Sequence, residues 1–158
     1  MEKIHFNLCV VDDYPPENCE LIACELVNGD VYLVKEIPFY SKEVSFGDTI
    51  FTNYIGGERV FSKAKSHCGN STIRIVFHDE GLSSIDEVLN KLTATGVTLN
   101  KFSERFIALN IPREINILKI FDYLDLLEEK DILGFESGFL APSFNLQHDA
   151  LKLSQLKN

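Results

Sequence analysis

The sequence predicts an α+β fold in which an N-terminal antiparallel curved sheet or small barrel precedes a ferredoxin-like split βαβ unit of order β-α-β-β-α-β. The first observation is that short apolar–polar alternations, separated by turn signals, fill residues 1–70. The second is that residues 71–140 contain two stretches of helical periodicity between strand-like stretches. We therefore expect an antiparallel β subdomain over 1–70, a ferredoxin-like α+β subdomain over 71–140, and a C-terminal tail over 141–158 that docks as a short helix.

The N-terminal region contains the signals of short strands joined by tight turns. Apolar residues alternate with polar ones over residues 4–10, which is the period of a strand with one buried face. Asn28-Gly29 and Gly56-Gly57 each lie between two strand-like stretches, as is typical of β-hairpin turns. Short strands joined in this way favour a strongly curved sheet or a barrel. The apolar residues of the first strand are Ile4, Phe6, Leu8 and Val10.

The next region begins with a strand and a helix. Residues 71–77 have the pattern of a strand, with Ile73 and Ile75 on one face. Ser84 and Glu87 have the spacing of a capping box at the start of the helix. Gly96 stands where a helix commonly ends in the left-handed conformation. The expected core face of this helix is Ile85, Val88, Leu89 and Leu92.

Two further strands, a second helix and a last strand complete the predicted order. The two strands flank Ser103-Glu104, and we expect Phe102 and Phe106 on them to pack in the core. Pro112 suits the first turn of the second helix, because the missing N–H of proline is unpaired there in any case. Residues 131–140 supply the last strand. The expected core face of the second helix is Ile117, Ile120, Phe121, Leu124 and Leu127.

The composition is that of a folded globular chain. Of the 158 residues, 45% are hydrophobic and 25% are charged, which argues against wholesale disorder. No run of about 18 apolar residues is present, so we expect no membrane span. The N-terminus lacks the pattern of a signal peptide. The four cysteines form no CxxC pair and no zinc-ligand spacing. We therefore expect a cytoplasmic protein whose cysteines are small buried hydrophobes.

The charge distribution favours a basic partner. The formal net charge is −9, and residues 1–58 contain 11 acidic and only 3 basic residues. A second group of acids lies in residues 121–131. A surface of this sign repels the phosphate backbone, so nucleic acid is a poor default partner. It attracts a basic protein, although in many acidic chains such charge only keeps the protein in solution.

Residues 67–71, with the sequence HCGNS, are the strongest candidate for a nucleophilic site. A reactive cysteine needs a base within reach and a lowered pKa. Neighbours on an extended chain point in opposite directions, so His67 is poorly placed to activate Cys68. Gly69 and Asn70 are residues that tolerate turn conformations. We therefore interpret the stretch as a turn that leads into a strand, and we predict no catalytic residue there.

The sequence signals for metal and cofactor sites are equally weak. The histidines are scattered, and no H-x-H or H-E-x-x-H spacing occurs. The stretch His78-Asp79-Glu80 could hold a divalent ion, but polar residues are expected where a strand ends. Asp12 and Asp13 precede two prolines and have the pattern of a loop. No glycine loop for phosphate is present. We predict no metal and no cofactor.

Three stretches resemble a bacterial family, domain of unknown function 4265. They are DDYPPENCELIACEL, IPFYSKEVSFGDTI and GGERVFSKAKSHCGNSTIRIVF. The resemblance covers roughly residues 6–140 and implies no particular chemistry. Where the family pattern has Ser-Gly-Asn, this chain has His67-Cys68-Gly69-Asn70, a departure that weakens a catalytic role for the first two. In size, charge and lack of a recognisable active site, the chain also resembles the immunity proteins of bacterial toxin systems, including contact-dependent growth inhibition.

The leading hypothesis is a non-catalytic immunity protein that covers the active site of a cognate toxin with an acidic surface. One alternative is a small-molecule-binding or regulatory module that uses the ferredoxin-like sheet. Another is an enzyme built on Asp12, Asp13, His67, Cys68 and His78, which requires these groups to converge in one pocket. The oligomeric state is not predicted. The partner-binding candidates are Asp12, Asp13, Tyr14 and Glu17 in the first loop, and Asp122, Asp125, Glu128 and Glu129 on the second helix.

Overall fold

The computed structural model of this protein describes residues 1–142 and has an α+β architecture, as predicted. Its N-terminal part is a closed barrel of five strands. Of the predicted C-terminal tail over 141–158, residues 143–158 lie outside the described residues. Within residues 1–142, no helix is both long and apolar enough to span a membrane. The strands of the barrel are β1 (Glu2–Asn7), β2 (Cys19–Asn28), β3 (Val31–Val34), β4 (Thr49–Ile55) and β5 (Glu58–Ser66).

Successive strands of the barrel pair antiparallel, and a short parallel contact between His5 of β1 and Val60 of β5 closes it. Gly29 and Gly56 have φ angles of 51° and 59°, so both predicted hairpin turns use the left-handed backbone that glycine adopts without strain. The first strand is shorter than predicted, since it ends at Asn7 and leaves Val10 exposed. The buried core of the barrel consists of Ile4, Phe6, Ile22, Cys24, Tyr32, Val34, Val44 and Ile50.

The C-terminal part is a four-stranded sheet with two helices on one face. The strand order is β7-β8-β6-β9, and every neighbouring pair is antiparallel. Ile73 and Ile75 are fully buried beneath the helices, as their alternation predicts. A 3-10 helix, Asp79–Ser84, precedes the first α-helix. The elements in chain order are β6 (Ser71–Phe77), α1 (Ile85–Ala94), β7 (Thr98–Lys101), β8 (Phe106–Ile111), α2 (Ile117–Glu129) and β9 (Leu133–Ser137).

The start of the first helix is predicted correctly, since α1 begins at Ile85 directly after Ser84, but its predicted capping box does not form and the predicted start of the second helix is wrong. Ser84 makes no capping hydrogen bond, because it ends the 3-10 helix with helical backbone angles rather than the extended ones of an N-cap. Pro112 lies in a turn before α2, which begins at Ile117 instead. Asn116 caps that helix, since its side-chain oxygen accepts the Leu118 N–H at 3.1 Å. The predicted stop at Gly96 is confirmed by its φ of 104°.

The barrel packs against the sheet face that the helices leave uncovered, and this junction is polar. Thr72 and Arg74 of β6 point to it and are buried. The chain between β3 and β4, residues 35–48, covers them. Ser45 Oγ lies 3.3 Å from Thr72 Oγ1, and the Ser41 carbonyl oxygen accepts a hydrogen bond from Arg74 Nη2. Directional hydrogen bonds therefore hold the covering segment, residues 35–48, against the sheet.

Glu20 of β2 anchors the covering segment from the barrel side. Its side chain is buried and accepts three backbone N–H groups. Oε1 accepts from Phe39 at 2.6 Å, while Oε2 accepts from Tyr40 at 3.0 Å and Ser41 at 2.8 Å. A buried carboxylate is tolerated when its oxygens receive such donors. Glu20 thereby fixes the residue whose carbonyl contacts Arg74.

We expect Glu20→Gln to lower the free energy of unfolding by about 2–3 kcal/mol. The new amide group places an N–H donor where a carboxylate oxygen now accepts a backbone N–H, so at least one buried donor loses its partner. Urea unfolding followed by circular dichroism measures the change. The matched control is Glu25→Gln on the same strand, whose exposed carboxylate lies 4.0 Å from Lys35 and accepts no backbone N–H from residues 1–142. Equal stability of the two variants would contradict the anchoring role.

Candidate functional site

Arg74 is the charged residue at the centre of the junction between barrel and sheet. It lies in the middle of β6, and its side chain is 1% exposed. Nη2 donates to the Ser41 carbonyl, and Nη1 lies 3.6 Å from Oε1 of Glu136. Burial lowers the pKa of the Arg74 guanidinium, while the negative charges of Glu136 and Glu20 oppose this effect. Among residues 1–142, no acceptor lies within hydrogen-bond distance of its Nε or Nη1.

Tyr14 connects the first loop to this buried charge. β9 places Glu136 directly opposite Arg74, and the Tyr14 hydroxyl donates to Glu136 Oε1 at 2.8 Å. Burial, the hydrogen bond to Glu136 and the charge of that carboxylate raise the pKa of Tyr14 well above its usual value. The loop reaches the sheet through a tight reversal in which Asp12 and Asp13 adopt positive φ. The loop, the sheet and the covering segment therefore meet at Tyr14, Arg74 and Glu136.

Aromatic rings surround this meeting point. Tyr14 lies 6.1 Å from Tyr40 between ring centroids, and Tyr40 lies 5.6 Å from Phe106. Phe102 contacts Phe39 and Phe106 at 5.2 and 5.5 Å. The prediction that Phe102 packs in the core is wrong, because its side chain is 59% exposed. Phe106 is half-buried at the junction, on the sheet face that the helices do not cover.

A cavity of about 270 Å³ opens beside Arg74. The charged pair Arg74 and Glu136 lines it together with Tyr14, Phe106 and Val76. Tyr14 also lines a second cavity, of about 400 Å³, on the side of the first loop. The Tyr14 side chain thus forms a wall shared by both cavities. The arrangement places one cation, one anion and apolar surface around a small volume.

His67 and Cys68 lie at a different place, around the buried Asp48. His67 Nδ1 lies 2.7 Å from Asp48 Oδ2, and the Cys68 N–H donates to Asp48 Oδ1 at 2.9 Å. The Cys68 thiol contacts the Phe46 carbonyl instead of His67, and burial raises its pKa. A raised pKa disfavours the thiolate that acts as a nucleophile. The predicted turn is confirmed, since Gly69 has a φ of 99°.

The groups of the enzyme hypothesis occupy three separate places. Asp12 and Asp13 lie in the loop between β1 and β2, whereas His67 and Cys68 surround Asp48. His78 lies near Gly134 at the start of β9. Among residues 1–142, no hydrogen bond or ion pair connects these three places. Within the same residues, no group of three or more His, Cys, Asp or Glu side chains is arranged to hold a metal ion.

The predicted partner-binding residues lie on two surfaces. Those of α2 are exposed on the side away from the core, as their spacing indicates. The acids of the first loop, Asp12, Asp13 and Glu17, are also exposed, and Tyr14 is 46% exposed. α2 packs on the helix-covered face of the sheet, whereas Tyr14 reaches the opposite face. Within residues 1–142, no carboxylate of either set makes a side-chain hydrogen bond or an ion pair. The α2 set is Asp122, Asp125, Glu128 and Glu129.

Sequence reasoning missed the residues that organise the junction. One signal for Arg74 was available, because a charge between Ile73 and Ile75 interrupts an otherwise apolar strand. No local pattern distinguishes Glu20 or Asp48 from exposed acids. The backbone donors to Glu20 lie 19 to 21 residues away, and the Cys68 N–H lies 20 residues from Asp48, so only the fold brings these groups together.

Comparison with known proteins identifies relatives by sequence and by fold. The family model described as "Domain of unknown function (DUF4265)" matches residues 20–135. No curated protein matches this chain. A crystal structure described as "Novel crystal structure of a hypothetical protein from Neisseria gonorrhoeae" is similar, with a TM-score of 0.74 and 20% sequence identity. The similarity covers 89% of this chain and 96% of that chain. At this identity, the comparison with that structure supports the fold alone.

We expect the contribution of Tyr14 to stability to decrease above pH 10. The folded-state pKa of Tyr14 is raised above its ordinary value of 10.0, so its contribution is complete below pH 10 and is lost as the pH rises. Tyr14→Phe removes this dependence. The midpoint of urea unfolding should therefore differ more between wild type and variant at neutral pH than at about pH 11. A difference that stays constant over this range would contradict the bond to Glu136, and Tyr54→Phe, at an exposed tyrosine, serves as the control.

Proposed function

This chain belongs to the DUF4265 family, and we propose that it is a non-catalytic binding protein that presents an acidic surface to a basic protein partner. In its specific form, the proposal is an immunity protein that covers the active site of a cognate bacterial toxin. One observation carries it: the exposed carboxylates of α2 and of the first loop have no cationic partner among residues 1–142. Unpaired surface charge of one sign is available to an external partner of the opposite sign.

The α2 surface has the features of a contact site. Asp122, Asp125 and Glu129 follow one another at helical spacing, so their carboxylates share one exposed side. Leu126 lies among them and is 47% exposed. Protein interfaces combine apolar contact with charged groups at the rim. A rigid helix also holds the charges at constant separation, which lowers the ordering cost of binding.

The first loop provides a second, smaller contact surface. Pro15 is buried and Tyr14 is bonded to Glu136, so the loop is attached to the body of the protein at two points. The left-handed backbone of Asp12 and Asp13 forms the reversal at its tip. Such an attached loop presents carboxylates in a defined geometry. Tyrosine is also enriched at the centre of protein interfaces.

Electrostatics supports a toxin that acts on nucleic acid as the partner. An enzyme of that kind needs a basic cleft for its phosphate-containing substrate. A protein of net charge −9 gains association rate toward such a cleft through long-range attraction. Binding there blocks the active site and requires no chemistry from the inhibitor. The absence of convergence among Asp12, His67 and His78 within residues 1–142 is consistent with this mechanism.

Two finer assignments accompany the proposal. We assign residues 71–137 to the ferredoxin-like class, supported by the element order β-α-β-β-α-β and the antiparallel strand order β7-β8-β6-β9. We also assign the protein to the cytoplasm. All four cysteines are free thiols, which suits a reducing compartment.

Co-expression tests the toxin assignment directly. If a neighbouring gene encodes a toxin, cells that produce this toxin should survive when this protein is produced at a matched level. The control is the junction variant Glu20→Gln, produced at the same abundance as the wild-type chain. Because this variant is less stable, comparing the two relates cell survival to the amount of folded protein. Continued killing in the presence of abundant folded wild-type protein would overturn the immunity proposal.

Neutralising the α2 surface should slow association with the partner. We expect Asp122→Asn, Asp125→Asn, Glu128→Gln and Glu129→Gln together to reduce the association rate by about tenfold or more at low ionic strength. Stopped-flow binding to the purified toxin domain gives this rate. The matched control also removes four negative charges, through Glu43→Gln, Glu80→Gln, Glu104→Gln and Glu114→Gln at exposed positions. If both variants slow binding equally, net charge alone matters and the α2 surface is not the contact site.

A further inference from the structure

We propose that the cavity between Arg74 and Glu136 binds a free α-amino acid with an apolar side chain, whose carboxylate pairs with Arg74 and whose ammonium pairs with Glu136. This small-molecule site goes beyond protein partner binding. It lies on the sheet face opposite to α2, so both functions can exist in one chain. The inference rests on the donors of Arg74, on the position of Glu136 and on the size and lining of the cavity.

Arg74 has unused donor capacity. A guanidinium carries five N–H groups, of which one belongs to Nε and two to Nη1. Among residues 1–142, Nε has no hydrogen-bond partner and Nη1 has only the ion pair with Glu136 at 3.6 Å, although the side chain is only 1% exposed. Buried polar groups in native proteins are almost always paired. A carboxylate in the cavity that Arg74 lines supplies the acceptors that these donors need.

Glu136 determines the charge of the ligand. Its Oε1 lies 3.6 Å from Arg74 Nη1, and its carboxylate is 37% exposed. A ligand that carries only a negative charge is repelled by Glu136, and one that carries only a positive charge is repelled by Arg74. A zwitterion satisfies both. In an α-amino acid the two charged groups are attached to the same carbon, which matches a cation and an anion this close together.

The remaining walls determine the side chain. Phe106, Val76 and Tyr14 present apolar surface to the cavity, which favours an apolar or aromatic group over a charged one. The volume of about 270 Å³ is at the small end of ligand pockets, so the ligand has the size of a single amino acid. Tyr14 forms one wall and donates to Glu136.

Calorimetric titration of the wild-type protein tests the proposal. The probes are l-phenylalanine and l-leucine, compared with 3-phenylpropanoate, which lacks the ammonium, and 2-phenylethylamine, which lacks the carboxylate. We expect at least one amino acid to bind about tenfold or more tightly than either single-charge analogue. No binding of either amino acid at millimolar concentration overturns the proposal and leaves Arg74 a purely structural residue. Equal binding of 3-phenylpropanoate and l-phenylalanine also overturns it.

The variant Glu136→Gln tests whether the amino acid binds in this cavity. Glu136→Gln keeps the size of the side chain but removes its charge, so l-phenylalanine should bind about tenfold more weakly while 3-phenylpropanoate binds no more weakly than to wild type. Glu80→Gln, at an exposed position outside both proposed sites, is the matched control and should leave both affinities unchanged. An amino-acid affinity unaffected by Glu136→Gln would overturn the assignment. If Glu136→Gln fails to fold, the selectivity of the wild-type protein decides, since that comparison needs no variant.

Discussion

The burial of one positive charge, the guanidinium of Arg74, sets the constraint on which the junction of barrel and sheet depends. Removing a charge from water is costly unless nearby groups replace the lost hydration. Here the Ser41 carbonyl and Glu136 provide part of that replacement. Each of these groups must in turn be held in position. Glu20 holds the residues around Ser41, and Tyr14 donates to Glu136.

The protein joins two separate apolar cores through a polar seam. One core lies inside the barrel and the other lies between the sheet and its two helices. Between them, Arg74, Glu20 and Asp48 are buried charged residues, each in contact with groups from another part of the chain. Apolar contact is weakly directional, whereas a hydrogen bond is satisfied in only a narrow range of geometries. The seam therefore specifies how the barrel and the sheet are oriented.

The same seam separates two kinds of surface. The exposed acids of α2 lie on the helix side of the sheet, whose core within residues 1–142 is apolar. The cavity beside Arg74 lies on the other side, and its charges belong to the structural network of the junction. His67 and Cys68 also contact a buried carboxylate of the covering segment. Asp48 accepts hydrogen bonds from the Cys68 and Ser45 N–H groups, and its Oδ2 lies 2.7 Å from His67 Nδ1. A histidine next to a cysteine in sequence is thus explained by the packing of one buried carboxylate.

The sequence by itself determined the fold class and the order of the elements. Period-two alternation in the first half, the glycine turns at Gly29 and Gly56, and the helical spacing of Ile117, Ile120 and Leu124 are local signals, and local signals predict local structure. It also placed the acids of α2 on the exposed side. The start of α1 after Ser84 was predicted, although a 3-10 turn replaces its capping bond, whereas the start of α2 was missed because Asn116 caps that helix four residues after Pro112.

Only the tertiary structure decided which side chains distant in sequence are buried next to one another. Arg74 pairs with Glu136 across 62 positions of sequence, and Tyr14 reaches Glu136 across 122. No periodicity encodes such contacts, because they depend on how the sheet and the barrel pack. The exposure of Phe102 has the same origin: β7 ends one residue earlier, at Lys101, and the Phe102 side chain lies at the rim of the junction. Long-range packing thus selected the candidate site, while local chemistry selected the elements that carry it.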